Sequence, residues 1–349
     1  MVVTGVKLKN YRSYRNQAFE LEPGVNIIVG PNASGKTNLL EAVYVAGVGK
    51  SFRAGDKDLI SYNKPWARID LMLDKGQRTV KMWRESTKSK EFEVGQNIKK
   101  RLKSEDKLPT VLFTPDDLRS LSGSPKSRRK LIDGLVAAMF SDGQTAINRF
   151  NRALLQRNHL LKQANPNKDE LFVWAVRLGE MGGQLAGYRQ QVIGKLNKQS
   201  GKIYSELAGK KHRVKFRYIS ALDSKNYRHN LDKHLQDKTD IYLGFTSKGP
   251  HRDDISVEID SRDSQASASR GELRTLVLAA KIVETSIVEQ RTNQRPLMLL
   301  DDVFSELDGA RRQSLSKKLG GYQVIITTTD ADAMVEHFGA QAHILPINS

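Results

Sequence analysis

Apolar positions in the first 75 residues follow two different rhythms. Residues 2–9 and 18–21 alternate like short strands, and residues 25–29 form an apolar run that ends at Gly30. From about Lys36 to Ala46 the spacing becomes helical, with Leu39, Leu40, Val43 and Ala46 on one face. Residues 68–73 and 78–83 alternate again and predict a polar-edged hairpin around Lys75-Gly76. Residues 123–207 change character. Ile147, Phe150, Leu154 and Leu161 keep a three-four spacing, and Asn165-Pro166-Asn167 breaks it. A second stripe follows through Trp174, Leu178, Met181, Leu185, Tyr188, Val192, Leu196, Ile203 and Leu207. This pattern predicts an antiparallel helical arm packed as a bundle. Strand signals return at residues 213–219 and 255–259. The expected fold class is therefore α/β with a helical insertion.

Composition narrows the partners. Of 349 residues, 57 are Lys or Arg and 39 are Asp or Glu, which leaves a net charge of +18 and points to a polyanion such as nucleic acid. A solvated basic surface is the competing explanation. The chain has no cysteine, which excludes disulfides and thiolate metal sites and suits a reducing, cytoplasmic setting. No apolar run approaches a bilayer span, so no membrane partner is expected. Residues 1–10 lack the apolar core of a signal peptide.

The strongest chemistry follows the apolar run at 25–29. Gly30-Pro31-Asn32-Ala33-Ser34-Gly35-Lys36-Thr37 satisfies the phosphate-binding pattern G-x-x-x-x-G-K-[ST] between a strand and a helix. Backbone amides at such a helix start cradle a β-phosphate, Lys36 reaches the β- and γ-phosphates, and the Thr37 hydroxyl holds Mg²⁺. Asn38 completes the expected ATP contacts. Far along the chain, Pro296-Leu297-Met298-Leu299-Leu300-Asp301-Asp302 reads as a buried strand ending in two carboxylates. Asp301 is the expected Mg²⁺ ligand, and Asp302 the base for the attacking water, with Lys36 the other catalytic residue. The alternative, in which the two aspartates only cap a helix, does not explain the preceding strand.

Two motifs resemble those of ABC ATPases. Ser269-Arg270-Gly271-Glu272 precedes an amphipathic stretch with Leu273, Leu276, Ala280, Val283 and Ile287, and looks like the signature S-G-G-Q. It also fits a helix capping box. Ser305-Glu306-Leu307-Asp308 looks like the D-loop, with Asp308 as its aspartate. Thr327-Thr328-Thr329-Asp330 stands where ABC transporters place a switch histidine, and offers none.

Longer stretches resemble the RecF family. Lys9-Asn10-Tyr11-Arg12-Ser13-Tyr14 is similar to an N-terminal motif shared by SMC and RecF ATPases, whose arginine approaches the nucleotide; this adds Arg12 to the ATP contacts. Pro115-Asp116-Asp117-Leu118, continuing through Gly123-Ser124-Pro125 to Arg128-Arg129-Lys130-Leu131-Ile132-Asp133, looks like one RecF signature. Thr246-Ser247-Lys248-Gly249-Pro250-His251-Arg252-Asp253-Asp254 looks like another. Ser51-Phe52-Arg53-Ala54 departs from the Ser-His-Arg-Thr usual at its position. The stretch from Lys36 to Ser269 is too short for SMC-type coiled coils. A lone His251 beside two aspartates does not make a metal site.

The resemblance implies an ABC-ATPase head, a P-loop lobe plus a signature lobe, with a short helical arm inserted between the Walker A and signature halves. Residues 1–115 would hold the Walker A part of the head, 116–210 the mainly helical arm, and 211–349 the signature, Walker B and D-loop part. It implies a weak, DNA-stimulated ATPase in recombinational repair that dimerises on ATP. Each subunit's Ser269-Arg270-Gly271-Glu272 would cap the other's nucleotide. It further implies binding to duplex DNA near single-strand gaps, and work with RecO and RecR to load RecA. The competing functions are a DNA clamp that binds ATP but scarcely hydrolyses it, and a transporter motor subunit, which would not account for +18. Candidate DNA contacts are Lys99, Lys100, Arg101 and Lys103, and Lys210, Lys211 and Arg213. For either cluster, phosphate contact and a solvated face both remain open.

Overall fold

The computed structural model describes residues 1–85, 89–223, 225–330, 335, 337–339 and 342–347. It divides into two compact units, residues 1–115 with 285–349 and residues 116–284.

In chain order, the first unit begins with β1 (Val3–Tyr11), β2 (Tyr14–Glu20), β3 (Val25–Val29) and α1 (Lys36–Val48). It continues with β4 (Trp66–Leu73), β5 (Gly76–Trp83), β6 (Lys90–Val94), β7 (Asn97–Lys99) and β8 (Thr110–Phe113). The second unit holds α2 (Pro115–Leu118, at its border), α3 (Pro125–Met139), α4 (Gly143–Leu161) and α5 (Lys168–Ala208). Next come β9 (Val214–Ile219), α6 (Tyr227–Gln236), α7 (Thr239–Leu243), β10 (Asp254–Ile259), β11 (Arg262–Asp263) and α8 (Ser264–Ser267). The helix α9 (Arg270–Thr292) runs across the border, and β12 (Leu297–Asp301), α10 (Gly309–Leu319), β13 (Val324–Thr328) and β14 (His343–Pro346) complete the first unit.

Among the described residues the first unit contains two sheets. One is parallel, in the order β14-β3-β13-β12-β8. Its inner strands β12 and β13 are buried at every position, as expected of parallel strands covered on both faces. The other is antiparallel, β2-β1-β4-β5-β6-β7. One apolar core joins them, with Leu8, Ile69 and Val80 of the antiparallel sheet and Leu299 and Ile325 of the parallel sheet packed with Leu40 and Val43 of α1. The single apolar face expected for α1 is thus an underestimate. Leu39, Leu40, Glu41, Ala42, Val43, Val45, Ala46 and Gly47 are all buried, so the helix is enclosed nearly all round. The predicted hairpin forms one residue earlier than expected. Leu73 pairs with Gly76, so Asp74-Lys75 makes the turn and Gly76 enters β5 at φ 99°.

The second unit is a helical bundle with a small sheet, β11-β10-β9. The break at Asn165-Pro166-Asn167 starts α5, where the Asn167 side chain accepts hydrogen bonds from the amides of Asp169 (2.9 Å) and Glu170 (3.3 Å). At 41 residues, α5 extends about 60 Å at 1.5 Å per residue. It packs against α3, α4 and α6 as a bundle. Residues 211–284 group with these helices. The physical reason is that β9 packs on α5 and pairs with β10, which packs on α3.

Candidate nucleotide site

The loop between β3 and α1 is shaped for an anion. Gly35 sits at φ 104° and Ala33 at φ 65°, which turns successive amides inward at the start of the helix. A side chain at Gly30 would bring a Cβ within 2.4 Å of the Ile347 carbonyl and 2.8 Å of Ser34 Oγ, so only glycine fits. The Ser34 hydroxyl is buried without a partner. Lys36 is almost fully buried, and its ammonium donates to the carbonyls of Gly30 (2.6 Å) and Pro31 (2.7 Å). Burial pushes its pKa down, against the pull of Asp302 and Asp301. A buried cation resting on its own loop, beside an orphaned hydroxyl, fits a phosphate as its exchange partner.

The sheet order brings the distant carboxylates here. Strand β13 lies between β3 and β12, so the ends of these strands share one edge. Thr37 Oγ donates to Asp301 Oδ1 at 2.7 Å, across 264 residues of chain. Thr327, at the end of β13, also donates to Asp301 Oδ1 (2.9 Å), and it accepts from the Asp302 amide (2.9 Å). Asp302 holds φ 50°, and its Oδ1 is buried with no partner. Burial raises its pKa, with Asp301 adding to the effect while Ser305 and Lys36 oppose it. A hydroxyl and a carboxylate oxygen meeting beside a phosphate loop form a hard-oxygen set suited to Mg²⁺ completed by phosphate oxygens and water. No group of three or more His, Cys, Asp or Glu suited to a metal exists among the described residues.

Arg12 and Asn38 belong to a network that motif reading missed. Glu41, fully buried on α1, accepts from Arg12 Nε (2.9 Å), Arg12 Nη2 (3.1 Å), Arg53 Nη2 (3.1 Å) and Ser51 Oγ (2.5 Å). Asn38 donates to Ser13 Oγ (3.0 Å) and accepts from Arg53 (2.6 Å). Burial would raise the Glu41 pKa, but the two guanidinium groups and Ser51 outweigh it and hold the carboxylate ionised. The available signal was a glutamate inside an apolar helix, and the Ser51-Phe52-Arg53-Ala54 departure leaves Arg53 in place to serve it.

The signature-like stretch adopts a reciprocal capping box. The Ser269 amide and hydroxyl each donate to Glu272 Oε2 at 2.8 Å, and the Glu272 amide donates to Ser269 Oγ at 3.2 Å. Both Arg270 and Gly271 thus stand in the first turn of α9. Asp308 caps α10, accepting from the Arg311 amide at 2.9 Å and pairing with its guanidinium.

The two longer RecF-like stretches are locked together within the second unit. Arg128 forms a bidentate pair with Asp254 (2.8 and 2.6 Å), and Arg129 donates to the Asp253 carbonyl (2.7 Å). Arg189 pairs with Asp133 (2.8 and 3.0 Å) and donates to the Pro250 carbonyl (2.6 Å). Asp253 accepts from the hydroxyls of Tyr218, Ser220 and Tyr227. His251 is bound through Nε2 to the Thr246 carbonyl (2.9 Å), and burial lowers its pKa. These contacts tie the two stretches together inside the second unit.

Of the basic candidates, Lys99 pairs with Asp106 and Lys103 lies 3.8 Å from Glu105, while Lys100 and Arg101 are exposed. Lys210, Lys211 and Arg213 are exposed just beyond α5. No helix of the described residues is long and apolar enough to cross a membrane.

A family model for the RecF/RecN/SMC N terminal domain matches residues 2–344. The DNA replication and repair protein RecF of Clostridium perfringens strain 13 is 32% identical over 356 residues, covering 99% of this chain and 98% of its own. The recombination mediator protein RecF, solved as RecF-ATPrS and RecF-ATP in the RecFOR pathway, matches with TM-scores of 0.83 and 0.81. Identities are 28% and 29%, over 95% of this chain in both cases and 93% and 92% of those chains. The fold class is the α/β ABC-type ATPase head that the motifs suggested. The chain belongs to the RecF family, within the RecF/RecN/SMC group.

Proposed function

We propose that this protein binds ATP with Mg²⁺, dimerises on it, hydrolyses it slowly, and binds duplex DNA near single-strand gaps during recombinational repair and replication. The observation that carries the reading is the meeting of Thr37 with Asp301 at 2.7 Å, beside the buried Lys36. Thr37 and Asp301 would hold Mg²⁺, which would supply neutralisation of the phosphate charge. Lys36 exchanges the Gly30 and Pro31 carbonyls for phosphate oxygens. The loop amides and Ser34 hydrogen-bond the β-phosphate. Arg12, aligned by Glu41, approaches the nucleotide, and Asn38 steadies that side through Ser13 and Arg53. Asp302, with one oxygen free of partners, orients water and takes its proton. Ser269, at the start of α9, and Asp308 act across the dimer interface. Partnership with RecO and RecR is supported by family membership and by the RecFOR setting of the matched structures; RecA loading in the cytoplasm, at the nucleoid, follows from the same reading.

Size-exclusion chromatography with light scattering tests the proposal directly. The apo and ADP forms should elute at the mass of one 39.2 kDa chain, and the ATP form at twice that, more so with gapped duplex. One mass under every condition would refute ATP-driven dimerisation.

A further inference from the structure

We infer that a shallow groove at the C-terminal end of α5, flanked by Lys202, Lys211 and Arg213, holds the phosphodiester backbone of DNA and supplies the protein's main DNA contact. The inference rests on the reading that the protein binds DNA, and it chooses between two basic clusters that the sequence leaves equivalent.

In the cluster at 99–103, Lys99 is neutralised by Asp106 and Lys103 lies beside Glu105, which leaves Lys100 and Arg101 as its exposed cations, neither of them lining that groove. Lys202, Lys211 and Arg213 are exposed, and among the described residues none of their side chains forms an ion pair. The groove they flank is also lined by Ser205, His212 and the Asp260-Ser261 turn. An open groove with unspent cations suits a long solvated polyanion better than a small enclosed ligand.

The backbone under those cations is fixed. The His212 amide donates to Ser205 Oγ (3.0 Å) and the Arg213 amide to Asp260 Oδ1 (2.8 Å), while the Asp260 amide donates to the Arg213 carbonyl (2.9 Å). His212 Nδ1 pairs with Asp260 Oδ2 at 2.7 Å. Both oxygens of the groove's acidic residue thus already have protein partners, and three cations outnumber its one charge. The turn is the two-residue loop of the β10–β11 hairpin, with Asp260 (φ 48°) and Ser261 (φ 67°) at the left-handed angles such loops favour. The nearby aromatic ring, Tyr204, is fully buried against His212, so no exposed ring is available there to stack a base. Phosphate contact is what remains, and duplex DNA presents phosphates without unstacked bases.

Binding of a labelled gapped duplex, in the presence of ATP and across a salt series, decides the matter. The variant Lys202→Glu/Lys211→Glu/Arg213→Glu should bind at least about tenfold more weakly at ~0.1 M salt. Its slope of log K against log salt should be shallower by about three units, near one per lost contact. The matched variant Lys100→Glu/Arg101→Glu/Lys103→Glu, with the same charge change, should stay within about twofold of wild type. A milder set with glutamine at 202, 211 and 213 should lose affinity in the same order, with unchanged thermal melting, which removes misfolding as a cause. Wild-type affinity and slope in the groove variant, or an equal loss in the matched variant, would overturn the groove. A wild-type protein that binds no duplex would overturn the DNA-binding reading with it.

Discussion

Asp302 holds a left-handed backbone angle that a non-glycine residue adopts at a cost of about 1–3 kcal/mol. It also keeps a buried carboxylate oxygen without a partner. Neither feature helps folding. The backbone angle is held by the Thr327 side chain and carbonyl, which accept from the Asp302 amide. Asp301 is the opposite case, with Thr37 and Thr327 both on its Oδ1. Asp302→Asn should therefore keep ATP affinity within about threefold while lowering hydrolysis by about 10²–10⁴-fold, the usual worth of a positioned base. Because burial raises the Asp302 pKa, its ionised form is disfavoured in the folded protein, and that penalty is present once pH rises above the unfolded value. The asparagine should thus melt at the same temperature or higher at neutral pH. Loss of nucleotide binding in Asp302→Asn, with retention in Asp301→Asn, would reverse the two roles. At this scale the sequence was legible wherever chemistry runs in consecutive residues, as from Gly30 to Thr37. Glu41, Arg53 and Thr327 were not, because each gains its partner only through tertiary folding.

Elements were legible in proportion to their periodicity. The strand β3 matches its expected bounds, and α1 differs only by two residues at its end. The strands β6 and β7 escaped notice because they are short and polar, with Phe92 their one buried side chain. The link between α3 and β10 was equally hidden, since Arg128 and Asp254 stand 126 residues apart. Arg128 is buried, so removing Asp254 strands a guanidinium. Asp254→Ala should cost about 3–5 kcal/mol in denaturant unfolding, as should Arg128→Ala, while the double variant costs clearly less than their sum. Additive losses would show that the pair does not join the helix to the strand.

For the whole molecule, the outline of the fold was readable from motif order, while the grouping of residues 211–284 with the helices is a tertiary feature. That grouping depends on β9 pairing with β10 and packing on α5, which no local pattern reports. Lys36 and Ser269 belong to different compact units of the chain. Ser269 stands at a helix start with an exposed capping box, where dipole and amides favour an anion. If each nucleotide is held by Lys36 of one chain and Ser269 of another, two defective chains can complement each other. Lys36→Met removes the buried ammonium that faces phosphate and should lose productive ATP binding. Ser269→Arg should bind ATP nearly normally but fail to dimerise or hydrolyse. Mixed, the two variants can assemble one intact composite site. The mixture should recover ATPase activity absent from either variant alone. No recovery, with heterodimers demonstrated in the same sample, would contradict a site completed in trans.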